Sequence, residues 1–239
     1  MITTESIEHR NNCVVCGKDL VYHDDQLPAT CHYCGLTQPT NTTCVQGHYV
    51  CDGCHGLKGR DLIEVFCTKT DMTDPIEMAL TLMRNPEIKM HGPEHHFLVP
   101  AVLLAAFCNA GDVASDEKAS KIQKARQRAD NVLGGFCGFY GNCGAAVGTG
   151  ILLSVLTGAT PLSTKEWRLA NLMTAKSLLS IANQGGPRCC KRNSFLAMGE
   201  AARFLAEEFG VTLPIKKSPR CEFSSYNKEC LTVECPFYP

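Results

Sequence analysis

Cys13, Cys16, Cys31 and Cys34 are spaced C-x2-C-x14-C-x2-C, two knuckles each closed by a glycine, and Cys44, His48, Cys51 and Cys54 follow as C-x3-H-x2-C-x2-C. Zinc takes thiolate and imidazole ligands in fours. The spacing therefore predicts two consecutive tetrahedral sites, the first from the paired knuckles and the second from the run that follows. A single iron in a rubredoxin-like site is the competing occupant of the first. In so short and polar a segment metal ligation supplies the fold, so scaffold rather than catalyst is the expected role. Cys67 has no neighbour at ligand spacing and is expected to be buried.

A second kind of cysteine lies further on. Cys137 and Cys143 sit in the glycine-dense stretch 134–150, and Cys189 and Cys190 close the run Gly185-Gly-Pro-Arg-Cys-Cys. Cys143 and the Cys189-Cys190 pair each stand just before an expected helix, where free N–H groups and the positive end of the peptide dipole favour thiolate and other anionic sulfur. Arg188, Lys191 and Arg192 add positive charge beside the pair. Glycines let N–H groups approach inorganic sulfur without a Cβ in the way, although they would equally permit close helix packing. Glu94, His95 and His96, ahead of a third helix, offer acid, base or ligand groups. The tail adds Cys221, Cys230 and Cys235 as C-x8-C-x4-C, a further candidate metal site. Its fourth ligand must come from elsewhere, Cys67 or Cys108 being candidates.

The elements that must position these groups read as helices. Asp74-Pro75-Ile76-Glu77 is an N-cap, a first-position proline and a capping-box glutamate. Further helices are expected over about 97–110, from Ser115 to the glycines at 134–135, over 145–156, from a capping box at Ser163-Thr-Lys-Glu166 to about Ala182, and over 194–209. The fold class expected is mainly α: an all-helical core (68–215), a small zinc-ribbon-like N-terminal module (1–67) and a cysteine-rich tail (216–239). The 16 cysteines divide as eight, five and three among those regions.

Of the 239 residues 44% are hydrophobic and 20% charged, an ordinary globular composition, and the net charge of -1 gives no pull toward nucleic acid or an anionic membrane. Residues 13–54 hold one strong base, Lys18, which argues against nucleic-acid binding through the knuckles. The opening Met1–Arg10 has no export signal, and the longest apolar runs, of about 10–12 residues, are too short to span a bilayer. A reduced, cytoplasmic, metal-binding protein is the expectation.

Taken together, the knuckles, the segments CGFYGNCGAAVGTG, GATPLS and GGPRCCKRNSFLA and the tail CPFYP resemble a domain family of unknown function from anaerobic bacteria and archaea, over nearly the whole chain. Residues 90–205 more distantly resemble the helical catalytic domain of the iron–sulfur L-serine dehydratases. Asn142-Cys143-Gly-Ala-Ala-Val-Gly148, Thr157-Gly-Ala-Thr-Pro161 and Arg188-Cys-Cys-Lys-Arg-Asn193 match three of its loops in order, and the stretch from His96 to Leu103 is similar to an earlier segment. That likeness implies a [4Fe-4S] cluster with an open iron, with Cys143 and Cys189 at two ligand positions. The third position falls near Ile181, which cannot ligate, so Cys190 or Cys137 would complete the set. The likeness also suggests that the tail could cover this cluster.

The leading expectation is an iron–sulfur enzyme of lyase or desulfidase type. An open iron would act as Lewis acid on a small polar substrate, and Glu94, His95 or His96 would move the proton. The alternative is a metallo-scaffold for electron transfer, sulfur handling or cluster delivery that docks on a protein partner.

Overall fold

The fold was analysed in a computed structural model that describes residues 12–215 and 219–239. The segment in which no export signal was found lies outside the described residues, and the expected body–tail border adjoins the undescribed 216–218. The protein is mainly α, with nine helices among the described residues and one two-stranded antiparallel sheet near the N-terminus.

The sheet is a hairpin of β1 (Leu20–Thr30) and β2 (Thr37–Cys44). Its register runs from Leu20 opposite Cys44 to Thr30 opposite Thr37, with an irregularity between Tyr22 and Leu27. The first knuckle precedes β1, the second forms the turn at the hairpin tip, and Cys44 ends β2 beside the start of β1. A short helix α1 (Asp52–His55) carries Cys54.

Helix α2 (Gly59–Lys69) was not expected. It buries Leu62, Ile63, Phe66 and Cys67 and packs on α4 (Glu94–Ala110) and α5 (Ser115–Ala129). Arg126 of α5 reaches Asp61 at 2.6 Å and also pairs with Glu64. Because α2 runs through residue 67 and packs with the body, the expected module border cuts a helix in two.

Helix α3 (Pro75–Met83) begins as its sequence signals demand, with the Asp74 carboxylate accepting from the N–H groups of Ile76 at 2.9 Å and Glu77 at 3.4 Å. The axis of the body is α4, whose Phe97–Ala106 run is buried throughout and which packs against α2, α3, α5, α7 (Gly144–Thr157) and α9 (Cys190–Phe209). Helix α8 (Lys165–Gln184) closes over α7 and α9. Its capping box is a miss: Ser163 Oγ accepts from Thr160 N–H at 3.0 Å, so it closes the preceding turn instead of the helix. Among the described residues no helix is long and apolar enough to cross a membrane.

Helices α4 and α7 meet closely at Gly148. A Cβ there would stand 2.8 Å from Pro100 Cδ and 3.2 Å from the His96 carbonyl oxygen, atoms that cannot swing aside. Gly148→Ala gains about 1 kcal/mol of helix propensity but incurs overpacking of roughly 1–3 kcal/mol. A lowered urea midpoint is expected. A raised midpoint would mean that the two helices separate freely.

Candidate metal centres

The eight N-terminal ligands form two groups, but the partners are exchanged relative to expectation: Cys13, Cys16, Cys44 and His48 make one, and Cys31, Cys34, Cys51 and Cys54 the other. Within each, one ligand atom per residue lies within 4.8 Å of all the others. The hairpin explains the exchange. Its register, broken by the irregularity between Tyr22 and Leu27, sets the knuckles at its two ends, and the two still touch where the Tyr33 hydroxyl donates to the Val14 carbonyl at 3.4 Å. Each knuckle must find its partners where the chain returns. Cys44 comes back to the first knuckle through the register with Leu20, and Tyr49 bridges to Cys31, which brings Cys51 and Cys54 to the second.

The spacings suit a single ion. Cys16 and Cys44 sulfurs are 3.8 Å apart, Cys34 and Cys51 3.7 Å, and Cys44 Sγ is 3.4 Å from His48 Nδ1. A tetrahedron with metal–sulfur bonds of about 2.3 Å has edges of about 3.8 Å. Gly17 and Gly35 each adopt φ +72°, which lets the Cys-x-x-Cys-Gly turn close with an N–H bond from the glycine back to the first cysteine. Cys44 and Cys31 sulfurs accept N–H groups from Gln46 (3.3 Å) and Cys51 (3.4 Å).

The electrostatics agree with ligation. Burial pushes the Cys13 thiol up to about 11, while for Cys31 the N–H groups of Cys34, Cys51 and Tyr33 outweigh burial and hold it at about 7. Burial, then Arg84, lowers the His48 pKa and favours the neutral ring a metal takes. Thiols this crowded resist ionising together unless a cation shares their charge. The module docks through His32 and Tyr33, whose rings lie 6.4 and 6.1 Å from that of Phe66 on α2.

A third set gathers at the start of α9. Cys189, the N-cap, shares one small apolar cavity with Cys221, Cys230 and Cys235. The tail is tied down around it: Cys221 N–H donates to the Phe237 carbonyl at 2.7 Å, Arg84 pairs with Glu222, and Gln184 Nε2 donates to the Glu234 carbonyl at 2.9 Å. Three of the sulfurs accept backbone N–H groups, Cys189 from Arg192 (3.5 Å), Cys221 from Phe223 (3.4 Å) and Cys230 from Thr232 (3.4 Å). Burial, then the nearby Cys189, Cys235 and Cys230, pushes the Cys221 thiol up. Two buried cations border the set. Lys191 donates to the Ile88 carbonyl at 3.0 Å and lies 5.0 Å from the Phe223 ring, and burial lowers its pKa to about 7 against the pull of Glu94, Cys190, Cys189 and Cys221. Arg192 is 3% exposed.

Residues 63–238 match the model of a family of unknown function, DUF5714. The chain belongs to this family. The DUF5714 match opens inside α2 and takes in the third cysteine set, while both metal groups of the N-terminal module precede it. No curated protein and no solved structure matches the chain.

Within the DUF5714 region the expected set, Cys143 and Cys189 with Cys190 or Cys137, is spread over the tail cavity, the cleft and the start of α9 between them. Helix α9 starts at Cys190, four residues earlier than expected, so Cys189 and Cys190 are cap and first helical residue. Successive side chains there diverge by about 100°, and the two thiols part company. Cys189 turns to the tail cavity. Cys190 accepts the Gly92 N–H and feels Cys143, and burial pushes its pKa up to about 11. Cys143 accepts from Asn193 Nδ2 at 3.5 Å and shares an open cleft with Cys137. The cavity of the tail cysteines takes in Cys189 and neither Cys67 nor Cys108, which are fully buried in α2 and α4.

Helix α4 likewise starts earlier than expected, at Glu94, so Glu94, His95 and His96 form its first turn. The Glu94 carboxylate accepts the Lys89 N–H at 2.8 Å. His95, 1% exposed, pairs through Nδ1 with the Gly92 carbonyl at 3.1 Å, and burial, then Lys191, holds it neutral. His96 Nδ1 donates to the Val132 carbonyl at 2.8 Å, and its ring covers Gly144. None of the three lines the tail cavity or the cleft.

Proposed function

We propose that this chain is a metal-built redox scaffold: two zinc ions fold the N-terminal module, and a [4Fe-4S] cluster bound by Cys189, Cys221, Cys230 and Cys235 serves electron transfer with a protein partner. The observation that carries the reading is the convergence of those four thiols on one apolar cavity beside Lys191 and Arg192. Among the described residues, the sets at single-ion spacing are the two N-terminal ones. The four thiols here stand wider, which favours a cluster with separated irons over one zinc. Backbone N–H groups aimed at sulfur and nearby positive charge are the means by which proteins stabilise and tune such clusters.

When bound, a cluster of this kind supplies one-electron redox chemistry. Four thiolates leave no iron open to a substrate, and Glu94, His95 and His96 are engaged with backbone groups outside the cavity. Both features favour the electron-transfer reading over the lyase reading.

Anaerobic purification followed by metal and sulfide analysis tests this. About two zinc, four iron and four sulfide per chain are expected, with a reducible cluster signal by electron paramagnetic resonance. Three zinc and no iron would overturn the cluster, and turnover of a hydroxy-acid or thiol substrate at an open iron would overturn the electron-transfer role.

A further inference from the structure

On the far side of the first turn of α9 from the tail cavity lies an open cleft of about 870 Å3, a volume in the range of small-molecule sites. One wall is the apolar face of α8, with Leu179 and Ile181, and the opposite wall is the glycine-rich loop around α6 (Phe136–Phe139). At its floor the Cys143 sulfur accepts from Asn193 Nδ2, whose own carboxamide oxygen accepts from Arg192 Nε at 3.3 Å. Arg192 is fixed by Nη2 bonds to the carbonyls of Gly185 (2.8 Å) and Pro187 (2.9 Å), and Arg188 stands exposed on the same rim. No carboxylate lines the cleft. A partly exposed thiol, two guanidinium groups and an apolar wall are thus gathered in one concave site.

We infer that this cleft binds a small organic anion with a short apolar body and holds it beside the Cys143 thiol. The anionic head meets the exposed Arg188 guanidinium, which matches a carboxylate in a planar fork, Arg192 holds the loop that carries it, and the body lies along α8. The site does not rest on the metal reading, because Cys143 and Arg188 line the cleft and not the tail cavity.

The probes are iodoacetate and iodoacetamide, applied under argon to metal-loaded protein, with each cysteine followed by peptide mass spectrometry. In either reaction the Cys143 sulfur forms a bond to the methylene carbon, iodide leaves with the bonding pair, and the thiol proton passes to water. A free thiolate repels the anionic reagent and reacts faster with the neutral one. At Cys143 the order should invert, by about fivefold in favour of iodoacetate, the size of one partly exposed ion pair. In urea the ordinary order should return. Arg188→Gln, at an exposed position, should leave the fold intact and slow iodoacetate more than iodoacetamide, removing most of the preference.

Preference for iodoacetamide at Cys143, resistance to both reagents, or an unchanged preference in Arg188→Gln would overturn the assignment. Labelling of Cys189, Cys221, Cys230 or Cys235 in the same map would instead count against the cluster, so the two readings fail separately.

Discussion

Cys189→Ser should lose the iron while Cys190→Ser keeps it, although the two residues are adjacent. The split follows from their places at the start of α9, where the cap residue faces the tail cavity and the first helical residue faces Gly92 and Cys143. Cys221→Ser should behave like Cys189→Ser, with iron falling from about four per chain to near zero and about two zinc retained. Cys108→Ser, fully buried in α4 and remote from every ligand set, is the control for general destabilisation. The measurement is iron and zinc per chain together with the visible absorbance of the anaerobically purified variants. Equal loss of iron from both α9 variants would restore a shared mid-chain centre and defeat the assignment to the tail.

The difference between that expected centre and the proposed one is a matter of helix phase. The sequence marks a cysteine pair ahead of a helix, but the start was expected near Ser194. A pair in a flexible approach loop could converge on one site. A pair at the cap and first position cannot. The tail cysteines carried the right signal, three thiols in a short span, yet their fourth partner lies 32 residues away and was legible only once the tail was seen folded over α9. Helices with local signals were the readable part. Asp74-Pro75 caps α3, Gly210 closes α9, and the apolar faces of α3 and α5 point inward. Where a signal had two readings, tertiary context chose: Ser163 capped a turn, and Gly148 served helix packing.

The hairpin escaped the sequence reading for a different reason. Both strands are polar, and β2 alternates exposed and half-buried residues through threonines in place of an apolar stripe. Its stability is not hydrophobic in origin. The module has few buried apolar side chains of its own, Val15 and Tyr33 among them, and gathers eight candidate ligands into two groups that could each hold a metal ion. Structural zinc contributes on the order of 10 kcal/mol to such a fold, which exceeds what a two-stranded polar sheet can supply. Strand pattern is weak there because the metal sites, not burial, select the register.

That dependence makes the pairing of the ligands directly measurable. Cys16→Ser should cost one zinc per chain, from the site shared with Cys13, Cys44 and His48. Adding Cys44→Ser should then cost no more, because both residues serve the same ion. Adding Cys34→Ser to Cys16→Ser should remove the second zinc as well. Consecutive sites would give the reverse: Cys16 and Cys34 would share an ion, and Cys16 and Cys44 would not. Zinc per chain in the two double variants therefore separates the arrangements by about one ion in opposite directions. Should loss of one ion loosen the module enough to release both, the rates of zinc transfer to a chelator still discriminate. In the interleaved arrangement the Cys16→Ser and Cys44→Ser single variants should share one fast phase, while Cys34→Ser and Cys51→Ser share the other. The backbone pairing sets this outcome, since the hairpin register places Cys44 at the first knuckle's end and the bridge of Tyr49 to Cys31 brings Cys51 and Cys54 to the second.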